Sequence, residues 1–327
     1  HRYNVAKGEQ GDVALLEQEF AASVEASFCL AVASGGYALA MALRALDVQP
    51  GDKVLTNAFT LAPVPGSIAS VGAIPVYVGV TEDLVIDLED LQAKIAQANV
   101  LMLSHMRGHI CDMDQLMKIC EHAGVRVIED CAHTMGAKWR ETWSGRHGVV
   151  GCYSTQTYKH LNSGEGGFLV TDDADVMAKA VILSGSYMLY DRHIAAPAAS
   201  HFDDIRYQTP NVSGRMDHLR AAILRPQLAN LRAQAQAWNA RYQAVEAALA
   251  HTPGLKLISR PDEESYVGSS IQFLLLDWAA DRIENLLARC ASRGVELKWF
   301  GGQEPTGYTS CYDSWRYAPS SAMPKSD

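Results

Sequence analysis

The sequence predicts an α/β fold: a large domain with a mostly parallel sheet sandwiched by helices, followed by a smaller C-terminal α/β domain. Two observations carry this. From Phe28 to Glu129 short apolar runs alternate with helix-length segments, and strands joined through helices lie side by side in parallel only when each helix crosses over a face of the sheet. The pattern then turns helical and breaks at Thr252-Pro253-Gly254, a turn sequence that ends one unit and opens another. The domains are therefore expected at residues 1–250 and 251–327. The chain opens on His1 rather than methionine, and the second domain is expected to be incomplete.

Taken in order, Glu9 to Phe28 carries Val13, Leu15, Leu16, Phe20 and Val24 at helical spacing, an amphipathic opening helix. The apolar run Phe28 to Val32 reads as a strand and leads through Ala33-Ser34-Gly35-Gly36 into a helix from Tyr37 to Leu46, ended by Pro50-Gly51-Asp52. The expected strands are then Lys53 to Thr56, Ile74 to Val80, Val100 to His105 and Val125 to Glu129. The helices between them are Pro65 to Val71, Leu88 to Ala98 and Met113 to Ala123. A strand at Phe168 to Val170 precedes a helix from Ala174 to Leu183 and a loop from Ser184 to Pro210. A long helix runs from Met216 towards Ala250 with Leu219, Ile223, Leu228 and Leu231 on its apolar face. The smaller unit reads as strands Lys256 to Ser259 and Ser270 to Leu276, a helix Ala280 to Arg293 and a strand Val295 to Phe300, with turn-like composition from Gly301 onward.

Composition narrows the class. With 28 basic and 37 acidic residues the net charge is −9, and no basic stripe interrupts it, which speaks against nucleic acid as a partner. No apolar run reaches the roughly 18 residues of a membrane span, so a cytoplasmic protein is expected. The 7 cysteines show no CxxC or Cys-His cadence and read as reduced, buried thiols, with no metal site expected.

Three places concentrate chemistry. A strand running into Ser34-Gly35-Gly36 and then a helix aims unpaired backbone N–H groups and the positive end of the helix dipole at one point, a ready anion site. Ser34, His105 and Asp130 all fall at carboxyl ends of strands, where α/β sheets collect their ligands. Asp130 ends an apolar strand, where an unpartnered carboxylate is costly unless it faces a permanent cation. Lys159 stands between the hydroxyl-rich Tyr153-Ser154-Thr155-Gln156-Thr157-Tyr158 and the turn Gly164-Glu165-Gly166-Gly167, a setting suited to a covalent cofactor anchor. Each feature alone also fits an ordinary turn, a helix cap or a surface lysine; their order along one chain favours a shared site.

The motifs SGGYALAMAL, PGDKVLTNAFT, GAIPVYVGV, SHMRGHICDMDQL, VIEDCAHTMGA, CYSTQTYKHLNSGEGGFLVT and NVSGRMDHLRAAIL occur in the order and at about the spacing of the DegT/StrS sugar aminotransferases, which the chain resembles from about Val13 to Leu231. The resemblance implies the fold type I architecture and pyridoxal 5'-phosphate as cofactor. It implies that Lys159 forms the Schiff base with the cofactor, that Asp130 pairs with the pyridine nitrogen, and that His133 lies near the ring. It further implies that Ser34, Gly35, Gly36 and Ser154 bind the phosphate. Gln156 resembles the subset acting on cyclitol ketones such as scyllo-inosose. A homodimer with shared active sites is implied, in which the segment before Arg215 reaches the partner's phosphate site.

The sequence departs from the family pattern at three points. Gly36 replaces the hydroxyl residue of the phosphate turn, Leu61 replaces an aromatic for which Phe59 is the candidate substitute, and Ser213 stands where the family has Asn, with Asn211 nearby. Tyr187, Tyr190, Arg215 and Trp299 are the candidates for contacting substrate. The function implied is transfer of an amino group from glutamate or glutamine to a keto-sugar or keto-cyclitol, nucleotide-linked or free. A dehydratase or a non-catalytic cofactor-binding sensor on the same fold is the alternative; the family's dehydratases replace the lysine by His, which Lys159 speaks against.

Overall fold

A computed structural model of the chain describes residues 10–302 and 314–317. Glu9, Cys311 and most of the segment after Gly301 lie outside the described residues. The elements in chain order are α1 (Asp12–Ser23), β1 (Phe28–Val32), α2 (Gly35–Ala45), β2 (Lys53–Asn57), α3 (Pro63–Ser70), β3 (Ile74–Val78), α4 (Leu88–Lys94), β4 (Val100–Ser104), α5 (Met113–Ala123) and β5 (Arg126–Asp130). There follow β6 (Lys138–Trp139), β7 (Thr142–Trp143), β8 (Val150–Ser154), β9 (Gly167–Thr171), α6 (Ala174–Leu183), α7 (Phe202–Gln208) and α8 (His218–Leu249). The chain closes with β10 (Leu255–Leu257), β11 (Glu264–Ser265), β12 (Phe273–Leu275) and α9 (Ala280–Ala291).

The central sheet has seven strands in the order β1-β9-β8-β5-β4-β2-β3. Pairs β2 with β3, β2 with β4, β4 with β5 and β5 with β8 are parallel, and β9 runs antiparallel to both neighbours. The sheet is thus mostly parallel with helices on both sides, as expected from the alternation. Apolar residues of α2, α3 and α6 pack on one face with Val32, Val54, Met102 and Ile128. Side chains of α5 join Leu55, Leu101 and Val127 on the other. Parallel strands covered on both faces bury every side chain, which is why β4 is buried along its whole length.

Capping explains several helix starts. Asp87, Asp112 and Asp173 each accept backbone N–H bonds at the first turns of α4, α5 and α6, satisfying donors that no helix can satisfy internally. The α5 helix ends at Gly124 with φ 68°, the left-handed cap that glycine adopts freely.

Four readings from the sequence need correction. The buried residues of α8 are Ala221, Leu224 and Tyr242, with Leu228 and Leu231 partly buried beside the first two. Leu219 and Ile223 are 73% and 42% exposed, because successive residues are turned by about 100° around a helix and these two belong to a neighbouring stripe. The segment 295–300 forms no strand, since β10 and β12 pair with each other and no further strand extends that ladder among the described residues. The hydroxyl-rich segment Tyr153 to Tyr158, given no element in the sequence, begins inside the buried strand β8. Within the expected loop 184–210 lies the helix α7, anchored by the fully buried Phe202.

Glu129, an unremarked neighbour of Asp130, is a structural keystone of this sheet. Its Oε2 accepts from Gly145 N (2.9 Å) and faces His105 Nε2 (3.0 Å), and its Oε1 accepts from His147 N and Gly148 N (both 2.8 Å). Burial alone would raise its pKa, but His105, His147 and the Gly148 amide outweigh burial and bring it to about 2. A carboxylate held below its ordinary value adds stability that is complete above pH 4.5 and is lost as pH falls through about 2. Glu129→Ala is expected to cost about 3–5 kcal/mol, because it strands three buried amides and His105. Chemical denaturation at pH 7 checks this, and the deficit of the variant is expected to shrink on acidification.

Candidate functional site

The carboxyl ends of the parallel strands and the N-terminus of α2 converge on a cavity of about 480 Å³, within the range of small-molecule and cofactor sites. Its lining includes Ser34, Gly35, Gly36, Asp130, His133, Ser154, Gln156 and Lys159. Eight of the residues singled out in the sequence are thereby gathered around one space.

One wall is the start of α2. The side chain of Ser34 caps the helix by accepting from Tyr37 N at 3.1 Å. The amides of Gly35 and Gly36, in the first turn, have no acceptor within the helix. Gly35 is required here, since a Cβ would stand 2.7 Å from Ser154 Cβ; backbone and Ser154 are pressed together as a paired donor wall. Ser154 Oγ also accepts from Gln156 N at 3.3 Å.

Opposite stands the loop that carries Lys159. It is braced by Thr155 N to Gly166 O (2.9 Å), Thr157 N to Gly164 O (3.1 Å) and Lys159 N to Gln156 O (2.9 Å). Gly166 has φ 141°, backbone that strongly favours glycine. Lys159 Nζ lies 2.9 Å from His133 Nε2, while His133 Nδ1 accepts from Arg107 N at 3.3 Å. With Nδ1 used as an acceptor, the neutral imidazole carries its proton on Nε2, from which it can donate to the lysine nitrogen when that amine is unprotonated. Burial, then Lys159, Arg107 and His160, hold His133 well below its ordinary pKa. Burial also lowers the pKa of Lys159, with Arg107 adding to the effect and Asp130 opposing it. A buried amine biased towards its neutral form is a better nucleophile and proton carrier than a solvated ammonium.

Asp130 forms the floor. Its Oδ2 accepts from Ser104 Oγ (3.1 Å) and its Oδ1 from Ala132 N (3.1 Å). Ser104 Oγ in turn accepts from Thr60 Oγ1 at 2.8 Å, and Asn57 bonds both the amide and the carbonyl of Ser104. Burial raises the pKa of Asp130 against the pull of the Ala132 amide, Lys159, Ser104 and His105. A carboxylate in that position is short of a cation.

The strand register explains which neighbours join it. In the β4–β5 ladder Ser104 is opposite Asp130 and Leu103 opposite Glu129. Successive side chains of a strand point to opposite faces, so Ser104 and Asp130 meet in the cavity while His105 turns away to Glu129. His105, expected among the site's strand-end groups, is thus a buried structural partner, and Ser104 takes the place expected for it.

The other residues expected to contact substrate or a partner's site lie off the cavity lining. Tyr190 stacks on Phe202 (4.6 Å between centroids) and accepts from Arg206 Nη1, while Tyr187 is exposed. Arg215 bonds Gly185 O and is bridged to Val32. Asn211 and Ser213 are exposed on the same segment, whose Gly214 O accepts from Ala33 N at 2.8 Å. Trp299 is half-buried beside Gly301. Leu61 lines the cavity, whereas Phe59 packs edge-on against Phe300. Sequence reasoning passed over Ser104 and Arg107; their position at the end of an apolar strand, within SHMRGH, was the available signal.

A model of the DegT/DnrJ/EryC1/StrS aminotransferase family matches residues 5–327. Over 169 residues the chain is 37% identical to a protein of Micromonospora echinospora provisionally named L-glutamine:3-amino-2,3-dideoxy-scyllo-inosose aminotransferase, covering 51% of this chain and 40% of that one. Over 231 residues it is 33% identical to the UDP-N-acetyl-3-dehydro-alpha-D-glucosamine 3-aminotransferase of Acidithiobacillus ferrooxidans, covering 69% of this chain and 58% of the relative. Among solved structures, S. venezuelae DesV in complex with a ketimine intermediate superposes with a TM-score of 0.77 at 26% identity, over 95% of this chain and 82% of that one. The chain spans about half the length of these two sequence relatives. It belongs to the DegT/DnrJ/EryC1/StrS aminotransferase family, whose cofactor is pyridoxal phosphate. The donor set fits that group: a paired amide and hydroxyl wall for a phosphate, a cation-seeking buried carboxylate, and an amine biased towards neutrality.

Proposed function

We propose that this member of the DegT/DnrJ/EryC1/StrS aminotransferase family moves an amino group from glutamate or glutamine to a keto-sugar or keto-cyclitol, using pyridoxal phosphate. The observation that carries the reading is the placing of Lys159 Nζ at 2.9 Å from His133 in the same cavity as Asp130 and the first amides of α2. In this reading the Gly35 and Gly36 amides, with Ser34 and Ser154, hold the phosphate at the positive end of the helix. Asp130, fixed by Ser104 and Ala132, keeps a negative charge against the ring nitrogen. The bound cofactor supplies the electron sink for the pair released when the substrate's Cα–H bond breaks.

The protein's own part is proton handling and positioning. Lys159 Nζ anchors the cofactor and, once released from it, takes up and returns the proton, a contribution of roughly 10²- to 10⁴-fold. His133, holding its proton on Nε2 because Arg107 N–H occupies Nδ1, aims the lysine lone pair. The relatives named for scyllo-inosose and UDP-sugar amination support a polyhydroxylated keto acceptor. The sequence holds no dense basic run of the kind a diphosphate entrance would call for, which favours an acceptor without a diphosphate tail. A homodimer belongs to the same proposal, and Asn211 and Ser213, exposed on a segment that borders β1, are available to a partner. So does a division into a cofactor domain, residues 1–250, and a smaller domain, 251–327.

The experiment is an absorption spectrum of the pyridoxal-phosphate-loaded protein before and after addition of glutamate or glutamine. Conversion of the visible band to the pyridoxamine form is expected. A band that ignores every amino donor would overturn the aminotransferase reading.

A further inference from the structure

Arg107 has an unusual combination of properties for a residue at the end of an apolar strand. Its φ of 57° lies in the left-handed region, which costs free energy for any residue but glycine and persists where the surroundings demand it. Its guanidinium carbon is 5.1 Å from the centre of the Phe300 ring, and Lys298 Nζ lies 5.0 Å from the same ring. Its Nε is buried without an acceptor among the described residues. Burial lowers its pKa, and among the described residues no acidic neighbour offsets that cost. Arg260 is the contrast: its side chain, 7% exposed, ion-pairs with Glu264 at 2.7 Å. A partly buried cation with no counter-charge among the described residues is costly, and Arg107, whose amide bonds His133 Nδ1 at 3.3 Å, sits close enough to Lys159 and His133 to lower the pKa of both. Asp130 is the acid that acts on Lys159, whereas the Arg107 guanidinium faces no acid among the described residues, an arrangement suited to an incoming anion.

We propose that Arg107 binds a substrate carboxylate beside the Lys159–His133 pair, with Phe300 as the apolar plate under its guanidinium. The proposal rests on the aminotransferase reading and deepens it. The cofactor phosphate has a separate wall, the α2 amides with Ser154, so the anion facing Arg107 is a second one. An amino-acid donor brings a carboxylate on the very carbon whose nitrogen is exchanged at Lys159, whereas a neutral keto-sugar brings none. The planar guanidinium fork suits a carboxylate in a way that the Lys298 ammonium does not.

The test compares the donor half-reaction of the pyridoxal-phosphate-loaded wild type, Arg107→Lys and Arg107→Asn with two donors. One is L-glutamine; the other is 4-aminobutanamide, which is glutamine without its α-carboxylate. Asn tolerates left-handed backbone, so that variant keeps the turn, and Arg107→Lys keeps the charge. Arg107→Asn is expected to lose roughly 10- to 100-fold with glutamine, mostly through KM, so that the preference over 4-aminobutanamide collapses. Arg107→Lys is expected to retain part of the preference. Calorimetric titration with glutarate reads the same site without turnover, and the affinity is expected to fall by a similar factor in Arg107→Asn. Weaker glutarate binding with an intact glutamine half-reaction, and slower transfer to carboxylate-bearing keto acceptors alone, would assign the carboxylate to the acceptor. Equal glutarate affinity and equal donor preference in wild type and Arg107→Asn overturn the proposal. Failure of every donor with the wild type defeats the aminotransferase reading, and the glutarate titration then still decides for or against Arg107.

Discussion

Lys159→Ala, loaded with pyridoxal phosphate, is expected to show no visible band from lysine-bound cofactor, and its amino transfer is expected to fall by at least about 10³-fold. Two losses combine: the covalent anchor goes, and so does the amine that moves the proton. The fold is not expected to suffer. Burial lowers the pKa of Lys159 below its ordinary 10.5, so in the cofactor-free protein this group costs stability below that pH, and the cost fades as pH rises towards it. Thermal denaturation of the cofactor-free variant at pH 7 is therefore expected to match or exceed that of the wild type. Survival of the visible band in the variant would remove Lys159 from the proposed role.

Asp130→Asn is expected to lower the donor half-reaction by about 10²- to 10³-fold, the scale on which removing one preorganised electrostatic partner acts. Asparagine keeps an acceptor for Ser104 Oγ or the Ala132 amide, so the floor of the cavity holds its shape while the negative charge disappears. The visible band is expected to survive, because Lys159 is intact, and to convert slowly on adding glutamine. Stopped-flow absorbance separates the two variants: one lacks the band, the other keeps it and reacts slowly. A half-reaction in Asp130→Asn as fast as in wild type would show that no cation is stabilised at that carboxylate.

The legible parts of the fold were those with local causes. Met113 to Ala123 and Ala174 to Leu183 were read with the bounds the structure has, because an aspartate cap, an apolar-rich run of helix length and a glycine or serine stop lie within a few residues of each helix. The anion turn at Ser34-Gly35-Gly36, the strand-end Asp130 and the glycine-braced Lys159 were likewise visible, since each needs a particular residue type at a particular kind of turn. Less legible was β8, whose closing Tyr153 and Ser154 read as part of a hydroxyl-rich segment although the whole strand is buried. In α8 the choice between two apolar stripes had no local answer, because what decides it is the packing of Leu224, Leu228 and Leu231 against α1 and the sheet.

The sequence by itself determined the alternation of strands and helices and the residue types available at the strand ends, because propensity, capping and turn chemistry act over a few residues. Only the tertiary structure decided which of those residues share a space. The β4–β5 register sends Ser104 to Asp130 and His105 to Glu129, and crossing of the chain brings His133 within hydrogen-bond distance of Lys159. It also leaves Arg107 against Phe300, nearly two hundred residues away, with no acid beside it among the described residues. Register and long-range packing are settled by burial over the whole sheet, and no short window of sequence contains that sum.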